Sequence, residues 1–212
     1  MVNSTEGKPG EHAGEGGWGA RDAGELAAAR RTPMRALVDA IEAGAFGDVT
    51  GVLHIGIGGS VLGPALLVDA LGRRGASLNV RFLSNIDGQA FDDAVQALDP
   101  ATTLIVTASK TFTTAETMAN MDAALDWLRA GGISDPFGRV IAVTARPEAA
   151  LEAGIDETRI LQFSEGVGGR YSLWSAVGLS AGLALGWDAF EELLEGAAEM
   201  DRHFRYSEPG KN

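Results

Sequence analysis

Gly51-Val52-Leu53-His54-Ile55-Gly56-Ile57-Gly58-Gly59-Ser60-Val61-Leu62-Gly63-Pro64 is the stretch on which the fold turns. Residues 51–57 form a short apolar run ending in glycines, which reads as a buried strand. The glycines permit a tight turn and let a ligand come close to the backbone. Residues 64–71 read as a helix with Pro64 in its first turn. Strand, glycine turn and helix together open a βαβ unit.

The same alternation continues in both directions. Upstream, Met34, Leu37, Val38 and Ile41 share one helical face. Downstream, residues 79–84, 103–108, 139–144 and 159–163 read as strands, the 103–108 strand being rich in β-branched side chains. Helical spacing fills the gaps: Phe91, Ala94, Val95 and Leu98; then 114–129 with Met118, Met121, Leu125 and Leu128 on one side; then 147–153, 172–185 and 188–204. Apolar strands separated by helices predict an α/β fold, a five-stranded parallel sheet flanked by helices. Residues 1–30 read as a flexible N-terminal arm, 31–206 as the folded domain and 207–212 as a polar linker.

Composition narrows the function. The chain has 212 residues, 17 Lys and Arg against 29 Asp and Glu, and a net charge of −12. That balance argues against nucleic-acid partners and anionic membranes. With no cysteine, a disulfide framework, a thiolate zinc site and a cysteine nucleophile are all excluded. The three histidines are scattered, so no metal site and no cofactor is expected. No signal peptide or spanning segment is visible, and a cytoplasmic location is expected.

Parallel sheets place ligands at the carboxyl ends of their strands, so the turns there carry the functional reading. After the first strand, the glycine turn with Gly59 and Ser60 suits a phosphate at a helix N-terminus. It fits neither the dinucleotide fingerprint, because Val61 stands where glycine is needed, nor the Walker A loop, because Pro64 stands where lysine is needed. A tight turn with no ligand is the plain alternative. After the third strand come Ser109, Lys110, Thr111, Phe112, Thr113 and Thr114. Hydroxyls can surround a phosphate and the lysine can neutralise part of its charge. A capping box between Thr113 and Glu116 explains only two of these residues. After the fifth strand, Gly168, Gly169 and Arg170 offer backbone approach and a cation for an anion or a developing oxyanion; Arg170 could equally be a solvated turn residue. His54 reads as a satisfied core residue, and Asp87 as a weak candidate for a ribose contact.

Together these loops resemble the glucose-6-phosphate isomerase family. The segments are GIGGSVLGP (56–64), SNIDG (84–88), SKTFTTAETMAN (109–120), VGGRYSLWSAVGL (167–179) and GAAEMDRHF (196–204), in the family's order. The resemblance implies a sugar-isomerase (SIS-like) fold over 31–206. It implies interconversion of glucose 6-phosphate and fructose 6-phosphate through an enediol, in glycolysis and gluconeogenesis, with no cofactor. Gly59, Ser60, Gly169 and Ser109 through Thr114 match positions that hold the substrate, and Arg170 matches the arginine that stabilises the enediolate. Family members form homodimers and carry a second sheet domain. Their glutamate base, ring-opening histidine and a late lysine lie beyond Asn212, so the chain is expected to be a phosphate-binding fragment without its general base. Val61 and Gly166 depart from the family's usual residues. A non-catalytic phosphosugar sensor and a nucleotide-binding domain are the competing readings.

Overall fold

The computed structural model describes residues 20–208 and 210. Helix α1 (Ala20–Glu42) precedes strand β1 (Gly51–Gly56), then α2 (Gly59–Leu71), β2 (Asn79–Leu83), α3 (Gly88–Val95), β3 (Thr103–Ala108), α4 (Ala115–Ala130), β4 (Val140–Thr144), α5 (Pro147–Glu152), β5 (Ile160–Gln162), α6 (Leu179–Leu185) and α7 (Trp187–Tyr206). The five strands form one sheet in the order β2-β1-β3-β4-β5. Every neighbouring pair is parallel. The α/β architecture expected from the sequence is therefore present.

The core lies on both faces of the sheet because the central strands are buried on both sides. Val52, Leu104, Val106, Ile141 and Val143 pack with Met34 and Val38 of α1, Leu183 of α6 and Phe190 of α7. Leu53, Ile55, Ile105, Val140 and Ala142 pack with Ala94 of α3, Met121, Leu125 and Leu128 of α4, and Ala150 of α5. Alternate residues along each strand thus serve opposite layers, as the pleat requires. No described helix is long and apolar enough to cross a membrane.

Three expectations need correction. The folded chain begins earlier than residue 31: α1 starts at Ala20, and residues 1–19 of the expected arm lie outside the described residues. Alanine-rich composition, read as an arm, is also good helix material once Met34, Leu37, Val38 and Ile41 have a face to bury. Second, α2 starts at Gly59 and holds Pro64 inside it, not in its first turn. Gly58 takes φ 57°, a left-handed value that turns the chain straight from strand into helix. Third, residues 172–185 are not one helix. Gly169–Trp174 and Ala176–Gly178 are 3₁₀ segments, and only Leu179–Leu185 is α-helical. Ser175 is extended between them; its hydroxyl donates to Ser172 O at 2.6 Å and accepts from Val177 N–H at 3.3 Å, replacing the helical ladder locally.

His54 sits in the middle of β1 and is fully buried. Its Nε2 lies 2.7 Å from Ser60 O and its Nδ1 lies 2.7 Å from Ser180 Oγ. A carbonyl can only accept, so Nε2 carries the proton and Ser180 donates to Nδ1. Burial pushes the imidazole down from 6.5 to about 4, with the Ser60 bond acting weakly in the opposite direction. Between those two values the unfolded chain binds more protons than the folded one. The stability contributed by neutral His54 is therefore complete above pH 6.5 and is lost as pH falls towards 4. Urea unfolding between pH 7 and pH 4.5 should show a steeper loss for the parent chain than for His54→Gln. Parallel losses would refute a neutral buried imidazole.

Candidate functional site

Parallel strands bring every following turn to one rim. The chain passes from β1 outwards to β2 and then back across β1 to β3, so the connections after β1 and β3 leave in opposite directions. A crevice opens at such a point in open α/β sheets. Gly56 pairs with Ala108 across it, which sets the turn Ile57-Gly58-Gly59-Ser60 beside the loop Ser109-Lys110-Thr111-Phe112-Thr113-Thr114. The two loops that the sequence singles out most clearly thus flank the crevice.

The third loop reaches the same place by direct contact. A methyl group added to Gly59 would sit on the Gly169 carbonyl, so the two backbones touch where neither residue has a side chain. Ser172 fastens them. Its buried hydroxyl lies 3.0 Å from Gly59 O and 2.7 Å from Gly169 O, and its single proton is shared between those carbonyls. The sequence suggests Ser172 only as a helix cap; the glycines flanking this contact were the available signal. Arg170, next to Gly169, is exposed, with its guanidinium carbon 5.8 Å from the Tyr171 ring centroid.

Inside the hydroxyl-rich loop the groups hold one another. Ser109 Oγ accepts from Phe112 N–H at 3.2 Å and lies 3.3 Å from Thr114 Oγ1. Thr113 Oγ1 donates to Thr111 Oγ1 at 2.9 Å. The expected capping box is absent: Thr114 is the N-cap of α4, no side chain caps it, and Thr113 faces Thr111 instead of the helix. Phe112 takes φ 55°, a strained value for a bulky residue, while its ring is buried in the layer shared with α4. Burying that ring holds the strain, and the loop is preset before any ligand arrives. Lys110 is partly exposed, and its carbonyl accepts from Ala145 N–H at 3.0 Å and Thr144 Oγ1 at 3.2 Å.

Two further groups belong to this rim. An open cleft of about 310 Å³ is lined by Lys110, Thr111, Ala145, Arg146, Glu165 and Gly166. Arg146, at the end of β4, escapes the sequence reading because no glycine marks its turn. It pairs with Glu165 at 2.8 Å. Lys110 and Arg170 make no ion pair with any described residue. The helix N-terminus is less open than expected: the N–H groups of Ser60, Val61 and Leu62 already bond to the Ile57 and Gly58 carbonyls. What α2 still offers an anion is the positive end of its dipole, the Gly59 N–H and the Ser60 side chain. Asp87 makes its bonds locally, accepting from Gln89 and Ala90 N–H as the N-cap of α3.

Gly59→Ala should separate the two glycine turns, because the new methyl meets backbone that cannot rotate away. We expect a loss of roughly 1–3 kcal/mol in stability, the usual range for overpacking. An unchanged urea midpoint would show that the turns are not in contact.

Comparison with known proteins identifies the family. The family model described as phosphoglucose isomerase matches residues 2–212. The glucose-6-phosphate isomerase of Sphingopyxis alaskensis is 58% identical over 212 residues, all of this chain and 42% of that protein. That of Zymomonas mobilis is 54% identical over 211 residues, again 42% of its length. The crystal structure of a glucose-6-phosphate isomerase from Chlamydia trachomatis superposes with a TM-score of 0.73 at 30% identity, covering 86% of this chain and 35% of that one. The chain thus spans 36–42% of the length of the curated relatives it matches. A match from residue 2 to residue 212, on a sheet whose glycine and hydroxyl-rich turns share one crevice, means that the chain belongs to the phosphoglucose isomerase family.

Proposed function

We propose that this chain forms the phosphate-holding part of an aldose–ketose isomerase that interconverts glucose 6-phosphate and fructose 6-phosphate. The observation that carries the reading is the placement of the Gly59–Ser60 turn and the Ser109–Thr114 loop on either side of the crevice between β1 and β3. A phosphate seated there meets the positive end of α2, the hydroxyls of Ser60, Thr111 and Thr113, and the Lys110 ammonium. Gly169 gives the substrate room to lie against backbone, and Arg170 stands at the sugar end.

In this reaction the ring opens, and a carboxylate carries a proton between C2 and C1 through a cis-enediol. Removing the proton puts negative charge on oxygen, and Arg170 lowers the energy of that charge. The base is assigned to no residue of this chain. Glu165, the carboxylate lining the described cleft, is engaged by Arg146. This supports the expectation that the 212 residues alone bind a sugar phosphate without turning it over. The complete enzyme is read as a cytoplasmic homodimer with no nucleic-acid partner.

Titration of the purified chain with fructose 6-phosphate should give saturable binding and no glucose 6-phosphate. Turnover by the chain alone would overturn the division of labour, and absence of binding would overturn the phosphate site. Lys110→Ala should weaken binding roughly five- to tenfold, about 1 kcal/mol for a partly exposed charge-assisted contact, with the thermal midpoint unchanged. Unaltered affinity would make Lys110 a solvated surface charge. In the complete enzyme, Arg170→Ala should lower kcat on the order of a hundredfold while KM moves little. Equal losses in kcat/KM and in substrate affinity would remove the oxyanion role.

A further inference from the structure

The first turn of α2 has a chemical gap. In an α-helix the carbonyl of residue i accepts from the N–H of residue i+4. For Ser60 that partner is Pro64, which has no N–H. Ser60 O therefore cannot make its ordinary helical bond, and it points instead at the fully buried His54 ring. A buried carbonyl without a donor is costly, so a donor has to come from elsewhere.

It comes from the strand beneath. His54 Nε2–H donates to Ser60 O at 2.7 Å. Ser180 Oγ–H, from α6, donates to Nδ1 at 2.7 Å, which leaves the proton on Nε2 where the gap requires it. The ring has little freedom to do otherwise: it is fully buried and its centroid lies 5.3 Å from that of Phe82. The neighbouring carbonyl, Gly59 O, is held by Ser172 at 3.0 Å. Two successive carbonyls of the turn are thus tied from outside the helix, one to the sheet and one to the Gly169 turn.

We infer that His54 is a positioning residue for the Gly59–Ser60 turn, supplying to Ser60 O the donor that Pro64 removes, with Ser180 selecting the tautomer that allows it. His54 touches no substrate; it acts by fixing the backbone that carries Ser60. Its consequence for ligand binding rests on the phosphate reading above, whereas the coupling between His54 and Pro64 does not.

That coupling provides the test, made on the full 212-residue chain. Pro64→Ala restores an N–H opposite Ser60 O, so His54→Leu should be far less damaging in the P64A background than in the parent. Urea unfolding of the parent, H54L, P64A and H54L/P64A closes a double-mutant cycle. With Pro64 present, H54L should lower the folding equilibrium constant by about ten- to a hundredfold, the cost of an orphaned buried carbonyl. In the P64A background most of that loss should vanish. H54Q keeps a donor at the end of its side chain and should recover much of the loss. If H54L does not fold, H54M, which also lacks a donor but fills the space with a flexible chain, takes its place in the cycle. Binding of fructose 6-phosphate, measured by calorimetry on the same variants, should fall severalfold in H54L and return in H54L/P64A, a recovery that lost core packing alone would not give. An additive cycle overturns the inference even if the parent binds fructose 6-phosphate. A coupled cycle in a chain that does not bind supports the inference and defeats the phosphate reading instead.

Discussion

Two peptide backbones meet at Gly59 and Gly169, and the geometry of the rim depends on that meeting. The turn after β1 and the turn after β5 come from strands at different positions in the sheet. Any Cβ at Gly59 would push them apart, and the Ser172 proton bridges their carbonyls. The contact carries Arg170, from a segment far along the sequence, to the side of the crevice where β1 ends. Strand pairing alone would leave it at the sheet's outer edge. A close backbone approach is also a stiff one, since neither residue has a side chain to rotate out of the way.

The three central strands were legible because burial on both faces writes itself as continuous apolar runs. Residues 103–108 match β3 at both ends, and the other strands differ from their expected limits by a residue or two. The sheet's rim was legible for the same reason: once the strands are placed, the order of residues dictates the turn at the end of each. Features created by contact between distant segments escaped. Pro64 follows the usual preference for the first turn of a helix, and only the left-handed Gly58 shows that the turn begins five residues earlier, at Gly59. Thr113 and Glu116 have the spacing of a capping box, yet Thr113 faces Thr111 because the loop hydroxyls bond among themselves. Arg146 carries no local mark at all; its place beside Lys110 comes from the pairing of β3 with β4. His54 was readable as a satisfied core histidine, but which groups satisfy it depends on α2 and α6 folding onto the same face of β1.

The rim is built from opposed local costs. Phe112 is held at a positive φ, Pro64 denies Ser60 its helical donor, and His54 is buried without charge. Each is unfavourable alone. Each is offset by a specific element of the core: the layer against α4 for Phe112, and the β1–α6 pair for Ser60 and His54. Such offsets make the loops rigid before a ligand binds, which reduces the ordering cost at binding. A loop held this way also has few alternative conformations to adopt when the ligand leaves.

Rigidity matters for the proposed phosphate site because the chain's overall charge would oppose such a ligand. A net charge of −12 repels a doubly charged ester at a distance. At physiological salt that repulsion fades beyond about 8 Å, so the distant carboxylates act weakly on a bound phosphate. Lys110 stands on the hydroxyl-rich loop and Arg170 beside the glycine contact, and neither is neutralised by an ion pair among the described residues. Arg146, by contrast, is paired with Glu165. Affinity at the proposed site would therefore be set by donors at contact distance, against a screened background, and would depend on how firmly the backbone holds them in place. A looser rim would keep the same charges and lose the grip.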